Sequence, residues 1–264
     1  MFYASCFMNL MSGHSHWAGI KQRKGVNDAK RAKIFTKLAK PIVIAAREGG
    51  GNPDTNFKLR MAMKKAQEFN MPKDNIDKAV KKGTGEMSGA EIVEIIYEAK
   101  GPGNIMMLIK TSTDNKNRTV SEIKSILTKA GGKFGESGSS MWNFEQVGEI
   151  TIDLSGKDAD ELEMLAIEAG AKDTKIEDGL LFIYTETQDL QKVQEKLSEK
   201  NIEISQANLT FLPKSTVEID SSTQESYDKL LEILDDQEDV EEIFDNFLTS
   251  SFFEKSQKQL VILA

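Results

Sequence analysis

Residues 174–185, TKIEDGLLFIYT, hold the pair Asp178-Gly179 between two runs of strand-forming residues, and this pattern predicts a β-hairpin. The chain on both sides alternates between apolar runs of strand length and stretches with helical periodicity. We predict strands over 149–154, 174–177, 180–185 and 203–212, with helices over 158–169 and 189–199. This β-α-β-β-α-β order is that of a ferredoxin-like unit. Residues 145–212 are therefore predicted to form a ferredoxin-like domain.

The segments that flank this unit predict a second α+β domain, which the first one interrupts. Before it we expect strands over 92–98 and 105–111, a helix over 119–129 and a strand over 141–144. After it we expect a strand over 216–219, a helix over 224–235 and a strand over 240–247. The simplest assembly is one domain of residues 87–144 plus 213–249, with residues 145–212 inserted into it.

Residues 12–86 read as a domain of three helices. The first helix is expected over 28–48, with a buried stripe of Ile34, Phe35, Leu38, Ile42 and Ala45. Pro41 lies inside this pattern and is expected to kink the helix or to end it locally. Further helices are predicted over 56–70 and 73–82. The fold class is thus α+β: a three-helix domain followed by two α+β domains, the last ferredoxin-like and inserted into the middle one.

Charge divides the chain into a basic head and an acidic remainder. The formal net charge is −8, yet residues 12–85 carry 17 Lys and Arg against six acidic residues. Residues 86–264 carry 17 basic and 36 acidic residues. A domain with nearly three bases for each acid attracts polyanions, whereas the acidic remainder repels them and orients the encounter. A solvated lysine-rich surface without a partner is the alternative.

Composition excludes several classes of protein. A single cysteine and two histidines leave little for a disulfide, a zinc site or a nucleophilic catalytic triad, so we predict no enzymatic activity and no cofactor or metal. The longest apolar runs are too short to cross a bilayer, which predicts no membrane partner. Residues 1–11 lack the basic residues of a secretory or mitochondrial leader and read as the product of an upstream start codon, so a cytoplasmic location is expected. No role is predicted for residues 250–264, and the oligomeric state is not predicted.

Three features of the sequence could contact nucleic acid. The arm Gly13-His14-Ser15-His16-Trp17 mixes glycine with stackable rings, although Trp17 could instead pack under the helical domain. The second and third helices resemble a helix-turn-helix, in which Lys78 and Lys82 would face a groove of the nucleic acid. A plain three-helix bundle with exposed lysines has the same sequence pattern. Arg118 lies in Thr113–Thr119 at the start of a helix, where it could bind phosphate, while Asn117 or Thr119 could simply cap that helix.

Two other polar stretches invite a functional interpretation. The glycine- and serine-rich loop over 131–140 could fit a ligand or RNA, but it lacks the pattern of a phosphate-binding loop. The acidic run over 235–242 could hold a divalent cation, but it lacks calcium-loop spacing and reads better as a solvated helix end.

Ordered motifs along the chain resemble the YebC (PmpR) family, whose organellar members are translational activators of cytochrome c oxidase. The resemblance is carried by Gly13-His14-Ser15 with Trp17, the run DAKRAKIFTK over 28–37, GGGNPD over 49–54, NMP over 70–72, Tyr97-Glu98 before Gly101-Pro102-Gly103, and DNKNRT over 114–119. It covers the chain from Met11 to about Phe247. It departs from the family pattern at Pro41 and at His16, where a lysine is common.

The resemblance implies a helical domain followed by two α+β domains, and a regulator of gene expression that binds nucleic acid. Carried onto this chain, the contact residues are Gly13, His14 and Trp17 in the arm, and Lys21, Arg23, Lys24, Lys30, Arg31, Lys33 and Lys37 around the first helix. We therefore predict a DNA-binding transcriptional regulator of this type. Two alternatives stay open: a translation factor that acts on ribosomal RNA at stalled ribosomes, including stalls at proline-rich stretches, and a protein-interaction adaptor. No small-molecule substrate is expected.

Overall fold

The computed structural model describes residues 28–248, with side chains from Ala32 onward. Predictions that concern residues 1–27 or 249–264 lie outside these residues. The described elements are α1 (Asp28–Gly49), α2 (Phe57–Glu68), α3 (Lys73–Gly83), β1 (Val93–Lys100), β2 (Met106–Thr113), α4 (Lys116–Lys129), β3 (Lys133–Phe134), β4 (Phe144–Asp153), α5 (Ala159–Ala169), β5 (Asp173–Glu177), β6 (Leu180–Thr185), α6 (Leu190–Glu199), β7 (Gln206–Pro213), α7 (Ser221–Asp236) and β8 (Val240–Asp245).

Helix α1 is the centre of the helical domain. Its residues Ile42–Ala46 are all buried, because α2 and α3 pack against it and strand β2 approaches from a further side. The predicted set of buried residues on this helix was therefore too small, because the prediction assumed that one face of the helix meets solvent, whereas the segment 42–46 is buried on all sides. Pro41 lies inside the helix, which continues to Gly49. The expectation that proline ends the helix there is wrong.

Two small residues fix how the three helices meet. Asn56, which is buried, donates through Nδ2 to the carbonyls of Ala45 and Gly50, both at 2.8 Å, and its Oδ1 accepts from the Leu59 N–H at 3.0 Å. One side chain thus ends α1 and begins α2. At the end of α3, a Cβ on Gly83 would lie 2.5 Å from the Val43 carbonyl oxygen of α1. Only glycine permits this close approach of α3 to α1.

Strands β3, β1, β2 and β8 form the first sheet in that order, and every pairing in it is antiparallel. Helices α4 and α7 pack on one face of this sheet, where Ile123, Leu127, Tyr227 and Leu231 meet the strand residues. The opposite face carries Leu108 and Phe244, and Phe244 stacks edge-to-face against Phe211 of β7 at 5.1 Å. This face therefore turns toward the second sheet and the helical domain.

Two strands predicted for this domain are wrong. Met141–Asn143 is a short 3-10 helix, because the N–H groups of Ser140 and Met141 donate to the Glu98 carboxylate and cannot join a strand ladder. In place of the strand over 216–219, only Val217 forms a bridge, to Phe247. Ser215, two residues before Val217, exchanges hydrogen bonds with the Asn143 side chain. This contact joins the segment that follows β7 to the residue that precedes β4.

Strands β5, β6, β4 and β7 form the second sheet, again antiparallel throughout. Numbered by their order in the chain, these strands lie 2-3-1-4 across the sheet, which is the ferredoxin-like arrangement that the sequence predicts. The predicted hairpin is also confirmed: Asp178 and Gly179 both have positive φ, as a type I′ turn requires.

The chain leaves the first sheet, forms the second sheet and then returns. Phe144 at the start of β4 pairs with Pro213 at the end of β7, so the exit and the return are neighbours. The α+β fold class with an inserted ferredoxin-like unit is thereby confirmed. The residue limits that the sequence suggests for the three domains stay predictions.

Candidate nucleic-acid interface

The predicted contact residues of the described part do not form one surface. Lys78, Lys82 and Arg118 line a cleft of about 680 Å³, which we call cleft one, between α1, α3 and the start of α4. Lys33 and Lys37 line a separate cleft of about 610 Å³, cleft two, between α1, α2 and the two sheets. Lys30 and Arg31 lie on the first turn of α1, where only the backbone is described. Gly13, His14, Trp17, Lys21, Arg23 and Lys24 lie outside the described residues.

Helix α3 presents two lysines to cleft one. Lys78 is exposed, and Lys82, one turn further, lays its side chain over Gly89, where a Cβ would fall 2.3 Å from the lysine Cε. Neither ammonium lies within ion-pair distance of a carboxylate of residues 32–248. Lys82 lies in the last turn of α3, a position at which the helix dipole favours a cation. These two lysines are therefore available to an anion.

Lys37 and Lys40 of α1, in contrast, hold the helical domain against the first sheet. The Lys37 ammonium donates to the Asp235 carbonyl and lies 3.8 Å from that residue's carboxylate. Lys40 donates to the Ser112 and Glu238 carbonyls at 3.0 Å and to Asp239 Oδ1 at 2.6 Å. Both ammonium groups are thus engaged within the molecule.

Asp239, between α7 and β8, is the centre of this contact. Its side chain is 2% exposed and accepts from Lys40, from the Thr119 hydroxyl at 2.8 Å and from Arg118 at 3.1 Å. Burial alone would raise the pKa of Asp239, but the hydrogen bonds from Lys40 and Thr119 outweigh it and lower the pKa to about 2. The carboxylate is therefore ionised at every physiological pH, and it joins α1 and α4 to the turn between α7 and β8.

Arg118 is half-exposed and is held by two carboxylates. Its Nη2 lies 2.9 Å from Asp114 and 3.1 Å from Asp239, and the hydrogen bond to Asp239 is the main reason that its pKa is raised. The Arg118 backbone N–H donates to Asn115 Oδ1 at 3.1 Å. The residue that caps α4 is therefore Asn115, and the expected caps Asn117 and Thr119 are wrong. The guanidinium retains N–H groups that face solvent.

The acidic run over 235–242 is a docking surface for lysines of the helical domain and not a solvated helix end. Besides Asp235 and Asp239, Glu242 pairs with Lys65 of α2 at 3.1 Å, and Coulombic attraction to Glu242 is the main reason that the pKa of Lys65 is raised. Beside them, Lys110 lies 3.4 Å from Glu94. Sequence reasoning missed this role. The only feature of the sequence that pointed to it is an acidic run long enough to contact the lysines along one face of a helix.

The glycine- and serine-rich loop encloses a carboxylate of the protein itself. Glu98, buried in β1, accepts from the N–H groups of Gly138 and Ser140 at 2.6 Å and of Met141 at 2.8 Å. Burial would raise the pKa of Glu98, but these three backbone hydrogen bonds outweigh it and lower the pKa. Because the loop's N–H groups are already occupied, this loop is not an open phosphate cradle.

The described residues offer no group of three or more His, Cys, Asp or Glu side chains that could hold a metal ion. Among the helices of residues 28–248, none has both the length and the apolar character needed to cross a membrane.

Comparison with known proteins identifies the family. Residues 15–86 match the description "TACO1/YebC protein N-terminal domain", and residues 92–247 match "TACO1/YebC second and third domain". The chain belongs to the TACO1/YebC family. This confirms the resemblance that the sequence motifs carry, including its limit near Phe247.

Relatives in this family are similar over nearly their whole length. A protein of Fervidobacterium nodosum is 49% identical over 238 residues, which are 90% of this chain and 94% of that protein. One of Halothermothrix orenii is 45% identical over 90% of this chain and 95% of its own length. Both are named "Probable transcriptional regulatory protein". The crystal structure of a conserved hypothetical protein from Aquifex aeolicus superposes with a TM-score of 0.79 at 41% identity, covering 89% of this chain and 97% of that one.

Proposed function

We propose that this protein is a non-enzymatic, cytoplasmic regulator of gene expression that binds nucleic acid through its basic N-terminal domain, and that it acts as a DNA-binding transcriptional regulator. The names of the family relatives support regulation of transcription. The excess of 17 basic over six acidic residues in the first domain supports a polyanionic partner.

The observation that carries the proposal is the unequal use of the lysines. Lys37, Lys40 and Lys65 are bound to carboxylates or carbonyls of the acidic body. Lys78 and Lys82 stand on α3 without a carboxylate partner among residues 32–248, although that body has acidic groups to spare. A phosphate can bind lysines that form no ion pair within the protein without breaking the contacts that hold the domains together. We therefore place the main phosphate contacts of the described part on Lys78 and Lys82.

The other predicted contacts take different places in this proposal. Lys33, exposed on the outer part of α1, can add a contact on the side of cleft two. Lys37 contributes mainly to docking, and Arg118 can reach phosphate only with the N–H groups that Asp114 and Asp239 leave free. The arm with Gly13, His14 and Trp17 and the cations Lys21, Arg23, Lys24, Lys30 and Arg31 stay predicted contacts.

One observation favours ribosomal RNA as the alternative target. Lys78 and Lys82 line a concave cleft that also contains Asp114 and Glu238, so this face of α3 is recessed. A recognition helix must protrude to enter the major groove of a DNA duplex. A recessed basic cleft suits a looped or single-stranded backbone better, as in structured RNA.

A charge-reversal experiment tests the proposal. The variant Lys78→Glu with Lys82→Glu is compared with Lys157→Glu and Lys192→Glu, two exposed lysines of the inserted domain, so that net charge changes equally. We expect the first pair to weaken binding at least tenfold and to lower the slope of log K against log salt by about two, since each lost phosphate contact contributes about one. The control pair should bind as the parent protein does.

The same measurement distinguishes the alternatives. Binding to duplex DNA and to structured ribosomal RNA is measured in parallel between 50 and 200 mM salt. A preference for RNA transfers the proposal to translation. Equal binding by the two double variants and a flat salt dependence would refute a phosphate-binding head and favour the adaptor.

A further inference from the structure

Cleft one has an apolar wall beside its lysines. Phe35 and Ala39 of α1 form this wall, together with Met87 of the segment that follows α3. Met87 is 46% exposed, whereas Phe35 and Ala39 are half-buried and pack against the core of the helical domain, which holds the wall in place. Phosphate contacts with Lys78 and Lys82 leave this wall unused, because an anion gains nothing from an apolar surface.

The two helices that border the cleft carry small residues where they line it. Ala39 of α1 and Ala79 of α3 are both lining residues, and an alanine fills little of the space between two helices. On α3, Asn75, Ala79 and Lys82 recur at steps of three and four, so they share one face with Lys78. This face therefore offers one amide and two ammonium groups to an occupant of the cleft.

Two further polar groups of the cleft are available for hydrogen bonds. The Asn75 side chain, which is half-buried, and the exposed Ser88 hydroxyl form no hydrogen bond within residues 32–248. Asn75 has one acceptor and two donors, the combination with which an amide side chain binds the edge of a nucleobase. The cleft can thus supply hydrogen bonds to an uncharged group as well as contacts to an anion.

The charges of the cleft restrict what can occupy it. Lys78 and Lys82 attract an anion on the α3 side, whereas Asp114 and Glu238, which also line the cleft, repel one. A continuous run of phosphates therefore does not fit. The cleft instead suits a molecule with one anionic end, a flat apolar body and hydrogen-bonding groups on its edge.

We propose that cleft one binds one unstacked nucleotide of the nucleic acid. The phosphate contacts Lys78 and Lys82. The base packs against Phe35 and Met87, and Asn75 bonds to its edge. The cleft volume of about 680 Å³ lies within the range of pockets for small ligands, about 300–1,000 Å³. This inference rests on the proposed function and narrows its target to single-stranded DNA or looped RNA, because a duplex keeps its bases stacked inside.

Binding of short oligonucleotides with and without bases tests the inference. Single-stranded hexamers of deoxythymidine and of uridine are compared with abasic hexamers, which keep the phosphates and their charge. We expect the full-length protein to bind the hexamers with bases about tenfold more tightly, since stacking of one base on a protein side chain gives a gain of this order. The slope of log K against log salt should be the same for both kinds, because the phosphate contacts are the same. The tighter of the deoxythymidine and uridine hexamers identifies the source of the nucleotide.

Two variants locate the bound base. Met87→Ala and Asn75→Ala should each reduce the preference for bases by about threefold or more, without a change in the salt slope. Met164→Ala removes a methionine of the inserted domain that is 64% exposed, and it should bind as the parent protein does. Circular dichroism should be unchanged in all three variants.

Nuclear magnetic resonance supplies a direct readout of the same contact. The methionine methyl signal that Met87→Ala removes should shift when a hexamer with bases binds, because the aromatic ring of the base changes the local magnetic field. The same signal should stay in place when the abasic hexamer binds.

The outcomes separate this inference from the proposed function. If the protein binds both kinds of hexamer equally, or if Met87→Ala and Asn75→Ala keep the full preference for bases, cleft one binds no base. Phosphate binding through Lys78 and Lys82 then stands on its own. If neither the hexamers nor duplex DNA bind in a salt-dependent manner, the inference and the proposed function both fail.

Discussion

Replacement of Asp239 by asparagine removes one charge from the contact between the helical domain and the first sheet, and the structure sets the size of the effect. The carboxylate is 2% exposed and the side chain of its partner Lys40 is 13% exposed, with 2.6 Å between the two charged atoms. Breaking a buried pair from one side costs about 3–5 kcal/mol. Asparagine keeps the shape and one acceptor, and the two carbonyls still bind Lys40, so we expect a loss of about 2–4 kcal/mol.

The pKa of Asp239 gives an independent estimate. In the folded protein it is about 2, against an ordinary 3.8, which corresponds to about 2 kcal/mol of stabilisation at neutral pH. Because the folded-state pKa lies below the unfolded one, this stabilisation is present above pH 4 and is lost as the pH falls toward 2. Asp239→Asn should therefore cost most at pH 7 and little near pH 2.

A double-mutant cycle isolates the pair. Urea unfolding of the parent protein, Asp239→Asn, Lys40→Met and the double variant should give a coupling energy of about 1–3 kcal/mol. The exposed pair Lys58–Glu48 at 2.8 Å is the control, since its side chains are both more than half exposed, and its coupling should stay below about 1 kcal/mol. A Lys40–Asp239 coupling no larger than the control would refute the claim that this buried pair fastens the helical domain.

Three further substitutions test single features of the fold. Gly83→Ala should destabilise the protein by about 1–3 kcal/mol in urea unfolding, because its methyl group would overlap the Val43 carbonyl; an unchanged midpoint would contradict this packing. Glu98→Gln should speed hydrogen exchange at the Gly138 and Ser140 amides at pH 7, and the difference from the parent should shrink as the pH falls below 4.5, because the pKa of Glu98 is lowered from 4.5 and the stabilisation is lost once the folded carboxylate is protonated. Burial raises the pKa of Glu149 to about 8, so the stability of the protein should fall as the pH rises from 5 to 8. Glu149→Gln should remove this pH dependence of the thermal unfolding temperature. If the variant shows the same pH dependence as the parent protein, Glu149 is not its source.

The elements that the sequence predicts well are those whose pattern is local. The Asp178-Gly179 turn and the helices over 158–169 and 189–199 are set by nearby residues, and the structure has them within one or two positions. The strand expected over 141–144 fails for the opposite reason. Its amides are taken by Glu98, some forty residues earlier in the chain, and no local periodicity reports such a partner.

The candidate site shows the same division between residue type and partner. Lys37 and Lys78 look alike in sequence, since each lies on a basic helix face. The structure gives Lys37 a partner in Asp235, 198 residues away, and gives Lys78 none among residues 32–248. Sequence can therefore nominate the lysines of the head, but only the docking of the domain decides which of them remain for a phosphate.

This docking also explains why an acidic body accompanies a basic head. The acidic residues Asp235, Asp239 and Glu242 neutralise the lysines on the inner side of the helical domain and thereby fix its orientation. Salt acts differently on the two sets of cations: exposed lysines such as Lys78 are screened at moderate ionic strength, whereas the buried Lys40–Asp239 pair is screened far less. Raising salt from 50 to 200 mM should therefore release a bound polyanion before it loosens the domain contact. A salt titration of binding over this range consequently reports phosphate contacts and not undocking, as long as the Lys40–Asp239 coupling measured in the cycle does not change over the same range.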